Sequence, residues 1–219
     1  MSTRIQQALS TPLEDPLLRW LARRMPNWVS SDGLTGIGFA GAVLCCAGYL
    51  LARIDGAFFW LASLGLLVNW FGDSLDGHLA RARAAERPRY GFYVDHVTDL
   101  FSQLFIGAGL AMCGSVRPEA AGLALIVYLM VVAATHIGES VTGALRLSLC
   151  KIGPTELRLA LVALNALLFF RPGRPVVTLG APLTAIDLAI IALSLWGLAA
   201  LAVQVLLQAR QIGLQDPPR

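Results

Sequence analysis

Four aspartates, Asp73, Asp76, Asp95 and Asp99, stand close together in an otherwise apolar chain. Asp73 and Asp76 are three positions apart and Asp95 and Asp99 four, so on helices each pair shares one face. Gly77 and Ala80 continue the first face, and Gly91 lies one turn before Asp95 on the second. Small residues beside clustered acids leave room for a bulky group to approach the backbone. Carboxylates packed together repel unless a cation neutralises them, and an all-oxygen ligand set suits Mg²⁺ or Mn²⁺. Hard divalent ions held by acids at a membrane surface commonly hold phosphates as well. The stretch from Asn69 to Asp99 therefore reads as a metal–diphosphate site.

The elements that must position these acids are membrane helices. The chain is 56% hydrophobic and 14% charged, with a mean hydropathy of +0.65. Soluble domains carry roughly 25% charged residues, so an ordinary soluble domain is excluded, and no nucleic-acid partner is expected. The 219 residues allow about six spans of ~20–25 residues each. The apolar runs place them near 34–52, 57–80, 91–113, 121–149, 156–170 and 183–207. Proline and glycine breaks at Asp55-Gly56, Arg117-Pro118, Gly153-Pro154 and Arg171–Pro175 separate several of them. Phe58, Phe59 and Trp60 form an aromatic belt at one interface. The acids then fall at the end of the second span and the start of the third.

Upstream, Leu17, Leu21 and Met25 share one helical stripe and Arg19 and Arg23 another, as in an amphipathic helix lying in the interface. Ser31 or Asp32 is the expected N-cap of the first span. The predicted architecture is an all-α membrane protein of six transmembrane helices with an N-terminal interfacial amphipathic helix. Its parts are an N-terminal segment over 1–33, a membrane domain over 34–210 and a tail over 211–219. No secretory leader is expected before the first apolar run. Cys45, Cys46, Cys113 and Cys150 lie in or beside apolar runs, without metal-type or disulfide-framework spacing, and read as buried thiols.

Cation placement sets the orientation. Arg4, Arg19, Arg23, Arg24, Arg81, Arg83, Arg87, Arg89, Arg146, Lys151, Arg158, Arg210 and Arg219 fall on the side of the termini. Arg53, Arg117, Arg171 and Arg174 fall on the other. The termini and the aspartates are therefore expected in the cytoplasm, the membrane being an inner or plasma membrane.

The order Asp73-x-x-Asp76-Gly77-x-x-Ala80-Arg81, then Gly91-x-x-x-Asp95-x-x-x-Asp99, resembles the CDP-alcohol phosphotransferase motif at every fixed position. The resemblance implies attack of an alcohol hydroxyl on the β-phosphorus of a CDP-linked donor, with release of CMP. It implies that Asp73, Asp76, Asp95 and Asp99 bind the metal and diphosphate, with Asp99 also the general base. It implies a CDP pocket lined by Gly77, Ala80, Arg81 and Gly91, with Arg81 on a phosphate, and by Asp32 and Thr35 before and in the first span. A dimer is usual in the family. Tyr93–Asp99 is similar to the phosphatidylinositol-synthase type, which favours CDP-diacylglycerol as donor and a small polar alcohol as acceptor. The Asp95-His96 pair is instead similar to choline and ethanolamine phosphotransferases, which use diacylglycerol as acceptor.

Other polar residues admit more than one role. His78 and His96 read as rim or packing residues, and His136 and Glu139 as a pair on one face beside a polar cavity or an interhelical bond. Arg146, Lys151 and Arg158 suit acceptor recognition or headgroup snorkelling. Asn165 suits helix–helix bonding. A divalent-cation carrier using the same acids is the alternative of another class.

Overall fold

The computed structural model describes residues 3–4, 11–142, 144–145, 153–171, 175–179 and 181–216. Among these residues are seven helices: α1 (Thr11–Arg24), α2 (Ser31–Leu51), α3 (Phe58–Ala82), α4 (Pro88–Met112), α5 (Pro118–Thr142), α6 (Pro154–Phe170) and α7 (Ala185–Gln215). The protein is an all-α membrane protein. By length and composition α2, α3, α7 and the Pro118–Val141 stretch of α5 can cross a bilayer.

The helix ends follow local chemistry. Ser30 caps α2, its Oγ accepting from the Gly33 N–H at 3.0 Å; the cap thus lies one residue before the expected Ser31. Pro88 occupies the first turn of α4, where its missing N–H costs nothing, so that helix starts three residues before Gly91. At α6 the Glu156 carboxylate accepts from the Gly153 N–H at 2.9 Å. At α7 Thr184 and Asp187 cap reciprocally, with Asp187 N–H on Thr184 Oγ1 at 3.1 Å and Thr184 N–H on Asp187 Oδ2 at 2.9 Å.

Two of the expected span boundaries need correction. The fourth span was expected to continue to 149, but α5 ends at Thr142, and Ala144–Leu145 is a short strand (β2) paired in parallel with Thr3–Arg4 (β1). The sequence Val141-Thr142-Gly143 explains this, because β-branched residues and glycine are poor helix formers. The expected break before the last span also contains an antiparallel hairpin, β3 (Pro175–Leu179) with β4 (Ala181–Thr184).

The tightest packing joins α2 to α3. A Cβ placed on Gly72 would lie 2.6 Å from Gly38 Cα, and one on Gly65 would lie 2.7 Å from Cys45 Cα. Helix backbones come this close only where small residues face each other. Toward one end, Tyr49, Phe59, Leu66, Leu110 and Leu168 fill a core between α2, α3, α4 and α6. Toward the other, Leu18 and Ala22 of α1 pack on Leu34, Leu75 and Leu79. Here the expected stripe is displaced: Leu21 and Met25 pack against this cluster, whereas Leu17 is 45% exposed and Leu18 is buried. A helix packing on protein presents a broader face than one lying on lipid, and Leu18 and Ala22 supply its centre.

Candidate functional site

α3 and α4 bring the acids together. One carboxylate oxygen each from Asp73, Asp95 and Asp99 lies within 4.8 Å of the others. Asp73 lies in the C-terminal half of α3, and Asp95 and Asp99 in the N-terminal half of α4, so the packing of this helix pair makes the cluster. Asp76 is not in this group. It is buried, its Oδ2 accepts from Thr35 Oγ1 at 2.6 Å, and its backbone carbonyl accepts from Ser31 Oγ at 3.0 Å. The start of α2 thus holds the second motif aspartate.

A cation already faces the cluster. Arg158 of α6 donates through Nη2 to Asp73 Oδ2 at 2.6 Å and through Nε to Asn69 Oδ1 at 2.9 Å. Asn69 in turn donates from Nδ2 to the Gly38 carbonyl at 3.0 Å. These partners remove part of the repulsion that three neighbouring carboxylates would otherwise suffer. Arg158 therefore sits in the acid site itself, where the sequence offered acceptor binding or snorkelling. Arg146 and Lys151, grouped with it in the sequence, lie outside the described residues.

Gly77 and Arg81 line the same cavity as the acids, whereas Ala80, Gly91, Asp32 and Thr35 are not among its lining residues. The Arg81 guanidinium lies against Gly77, whose added Cβ would meet Arg81 Nη1 at 3.4 Å. A Cβ on Gly91 would meet nothing within 4 Å. Ala80 is half-buried beside them. Asp32 pairs with Arg87, whose guanidinium also stacks over Tyr90 with its Cζ 4.2 Å from the ring centroid. Arg83 ties the same loop to the α1–α2 turn by donating to the carbonyls of Pro26 at 2.8 Å and Met25 at 3.2 Å.

His96 stacks on Phe92 with centroids 4.1 Å apart and meets His136 edge-on at 4.5 Å. His136 Nδ1 lies 3.8 Å from Glu139 Oε2, and His96 Nδ1 lies 3.6 Å from Asp95 Oδ2. The two residues read separately in the sequence thus form one imidazole pair beside the acids. His78 faces Asp15 of α1 through Nε2 at 3.0 Å and donates from Nδ1 to the Ser74 carbonyl at 2.9 Å. Asn165 does bond between helices, donating to Ser63 Oγ at 3.1 Å. The α1 contacts were missed, because nothing in Glu14 or Asp15 alone distinguishes them from other interfacial acids.

The acids open on a cavity of about 1340 Å³ that continues to an apolar wall including Leu110, Val127, Leu164 and Ile190. A cavity charged at one part and apolar at another suits an amphiphile, with its polar group at the carboxylates.

An acid-lined cavity among apolar helices defines the class: an integral membrane protein whose polar site lies within its bundle. The CDP-alcohol phosphatidyltransferase family matches residues 26–208, and the chain belongs to that family. Among curated proteins it is similar to cholinephosphotransferase 1 of Danio rerio, 27% identical over 159 residues covering 69% of this chain and 41% of the relative. The Gallus gallus protein of that name is 29% identical over 169 residues, covering 72% of this chain and 49% of the relative. The Homo sapiens protein is 30% identical over 169 residues, covering 72% and 41%. The chain spans less than half the length of these relatives.

Proposed function

We propose that this chain transfers the phospho-alcohol group of a CDP-linked donor to a hydroxyl and releases CMP. The observation that carries the reading is the convergence of Asp73, Asp95 and Asp99 at the head of an amphiphilic cavity. The donor set fits a divalent ion. It is all oxygen, and Mg²⁺–oxygen bonds of roughly 2.0–2.1 Å keep two ligands of one ion within about 4.2 Å of each other, close to the spread found here. Asp73, Asp95 and Asp99 would hold Mg²⁺ or Mn²⁺, with Asp76 as a fourth ligand recruited from its bond to Thr35. Such an ion supplies charge neutralisation at the diphosphate and at the leaving CMP.

The chain's own residues supply the rest. Arg81 offers charge-assisted donors to a phosphate. Gly77 lines the cavity beside Arg81, and in this reading the nucleotide extends past Ala80 and Gly91 toward Asp32 and Thr35. Asp99 accepts the proton of the attacking hydroxyl, a role typically worth ~10²–10⁴-fold in rate. A second base is favoured by one observation: His96 stands between Asp95 and the His136–Glu139 pair. Arg158, once released from Asp73, is the acceptor-side cation in this reading.

The curated relatives are named cholinephosphotransferases, which supports a CDP-choline type donor and a diacylglycerol acceptor over the CDP-diacylglycerol donor favoured by Tyr93–Asp99. Six spans also belong to the proposal. They add α4, whose 25 residues extend about 37 Å, and α6, whose 17 extend about 25 Å, to the four helices above. The termini and acids face the cytoplasm in this arrangement, and two copies form a homodimer.

A donor panel tests the reaction. Purified protein with Mg²⁺ receives CDP-choline or CDP-ethanolamine with diacylglycerol, or CDP-diacylglycerol with small alcohols, while CMP is followed. Release with the first two and not the third is expected. Release only from CDP-diacylglycerol restores the donor favoured by the motif, and none from any donor ends the proposal.

A further inference from the structure

Helix α1 lies outside residues 26–208 of the family match, yet it reaches the acid site. Its Glu14 carboxylate accepts from Trp70 Nε1 at 2.5 Å, from Ser74 Oγ at 3.2 Å and from Thr155 Oγ1 at 3.1 Å. Trp70 and Ser74 are one turn apart on α3 and bracket Asp73. Thr155 lies in the first turn of α6, three residues before Arg158. One side chain of α1 therefore ties α3 to α6 within a turn of the Arg158–Asp73 pair. Leu18 and Ala22, buried on Leu75 and Leu79, fix α1 in place for this, and Asp15 adds its contact with His78.

We propose that Glu14 is a positioning residue. By clamping the start of α6 to α3, it sets how firmly Arg158 holds Asp73, and so how tightly the acid cluster takes its divalent ion. The inference rests on the metal reading given above. An arginine on Asp73 occupies a lone pair that an ion would use and adds a like charge beside it. Releasing the clamp frees the start of α6, weakens the hold on Asp73 and strengthens metal binding. A residue that contributed only packing would change stability and leave metal affinity alone. One that acted only through its charge would weaken metal binding when neutralised.

The test is Mn²⁺ binding, read by electron paramagnetic resonance on the full chain in lipid nanodiscs, with thermal unfolding measured alongside. Glu14→Ala and Thr155→Val are expected to tighten Mn²⁺ binding by roughly threefold or more, the lower end for loss of one hydrogen bond. Glu14→Gln keeps an acceptor oxygen for Trp70, Ser74 and Thr155 and should bind Mn²⁺ as the natural chain does. Arg158→Ala should bind tighter still, and adding Glu14→Ala to it should change nothing more. Thr155→Val keeps the side-chain shape and carries the test if Glu14→Ala does not fold. Unchanged Mn²⁺ affinity in Glu14→Ala and Thr155→Val, with only a lower melting temperature, overturns the inference. So does a Glu14→Gln variant that weakens binding. If the natural chain binds no Mn²⁺, the metal reading fails, and this inference fails with it.

Discussion

Gly72 offers a test of how the fold positions the acids, because it precedes Asp73 and faces the backbone of α2. In Gly72→Ala the new Cβ would lie 2.6 Å from Gly38 Cα, where ordinary contact begins near 3.4 Å. Backbone atoms on both sides cannot rotate away, so the helices must part by about 1 Å, an overpacking that typically costs about 1–3 kcal/mol. The site feels the same displacement. Asn69 Nδ2 bonds the Gly38 carbonyl at 3.0 Å across this interface, and adding about 1 Å takes it past hydrogen-bonding range, loosening the Asn69 that holds Arg158 at the acids. Misplacing reacting groups by that much can cost on the order of 10²-fold in rate. The expected result is a melting temperature lowered by several degrees and kcat/KM reduced about 100-fold. Gly91→Ala is the control, since its Cβ meets nothing within 4 Å, and its melting temperature should not fall. The assays are CMP release per folded molecule and thermal unfolding in detergent. Full activity and stability in Gly72→Ala would refute the argument that this glycine contact sets the site.

Other outcomes follow from the same geometry. Asp99→Asn should lose ~10²–10⁴-fold in kcat with donor binding largely kept, whereas Asp73→Asn should be partly rescued by raised Mg²⁺ in a metal titration. Recovery of Asp99→Asn at high Mg²⁺ would make Asp99 a ligand only and move the base to His96. Gly91→Leu should raise the dissociation constant for the CDP donor by filling open space, without unfolding α4; unchanged affinity would leave Gly91 no part in the pocket. Asp15, held below the usual carboxylate range chiefly by its hydrogen bond with His78, stabilises the docked α1 above the unfolded-state value of 3.8. That contribution is lost only as pH falls from 3.8 through the lower folded value, so protection of α1 from protease should be unchanged above 3.8 and decline progressively below it. Release of α1 already at pH 5 would contradict the assignment.

The motif drew attention to the acids that the structure brings near one another. Spacing put Asp73 with Asp76, and Asp95 with Asp99, on one helix face each; that one oxygen each of Asp73, Asp95 and Asp99 meets within 4.8 Å depends on how α3 packs on α4. Asp76 went otherwise, because its partner Thr35 comes from a different helix and no local pattern announces a contact of such sequence separation. Arg158 was visible as a cation near a helix start, but its hold on Asp73 and Asn69 depends on how α6 crosses α3. Glu14 was silent for the same reason: its donors Trp70, Ser74 and Thr155 lie on two other helices. The hairpin left a fainter trace in Pro175-Val176-Val177-Thr178-Leu179, β-branched and followed by glycine, a pattern the arginines and prolines before it obscured.

The central claim is that Asp73, Asp95 and Asp99 hold a divalent ion where the diphosphate of a CDP-linked donor must sit. Anomalous X-ray scattering from crystals grown with Mn²⁺ and a CDP-alcohol tests it directly. A Mn²⁺ peak bonded to oxygens of these three aspartates and to the diphosphate is expected, with Arg158 withdrawn from Asp73. A nucleotide bound elsewhere, or bound here with Arg158 still on Asp73 and no metal peak among the acids, would contradict it.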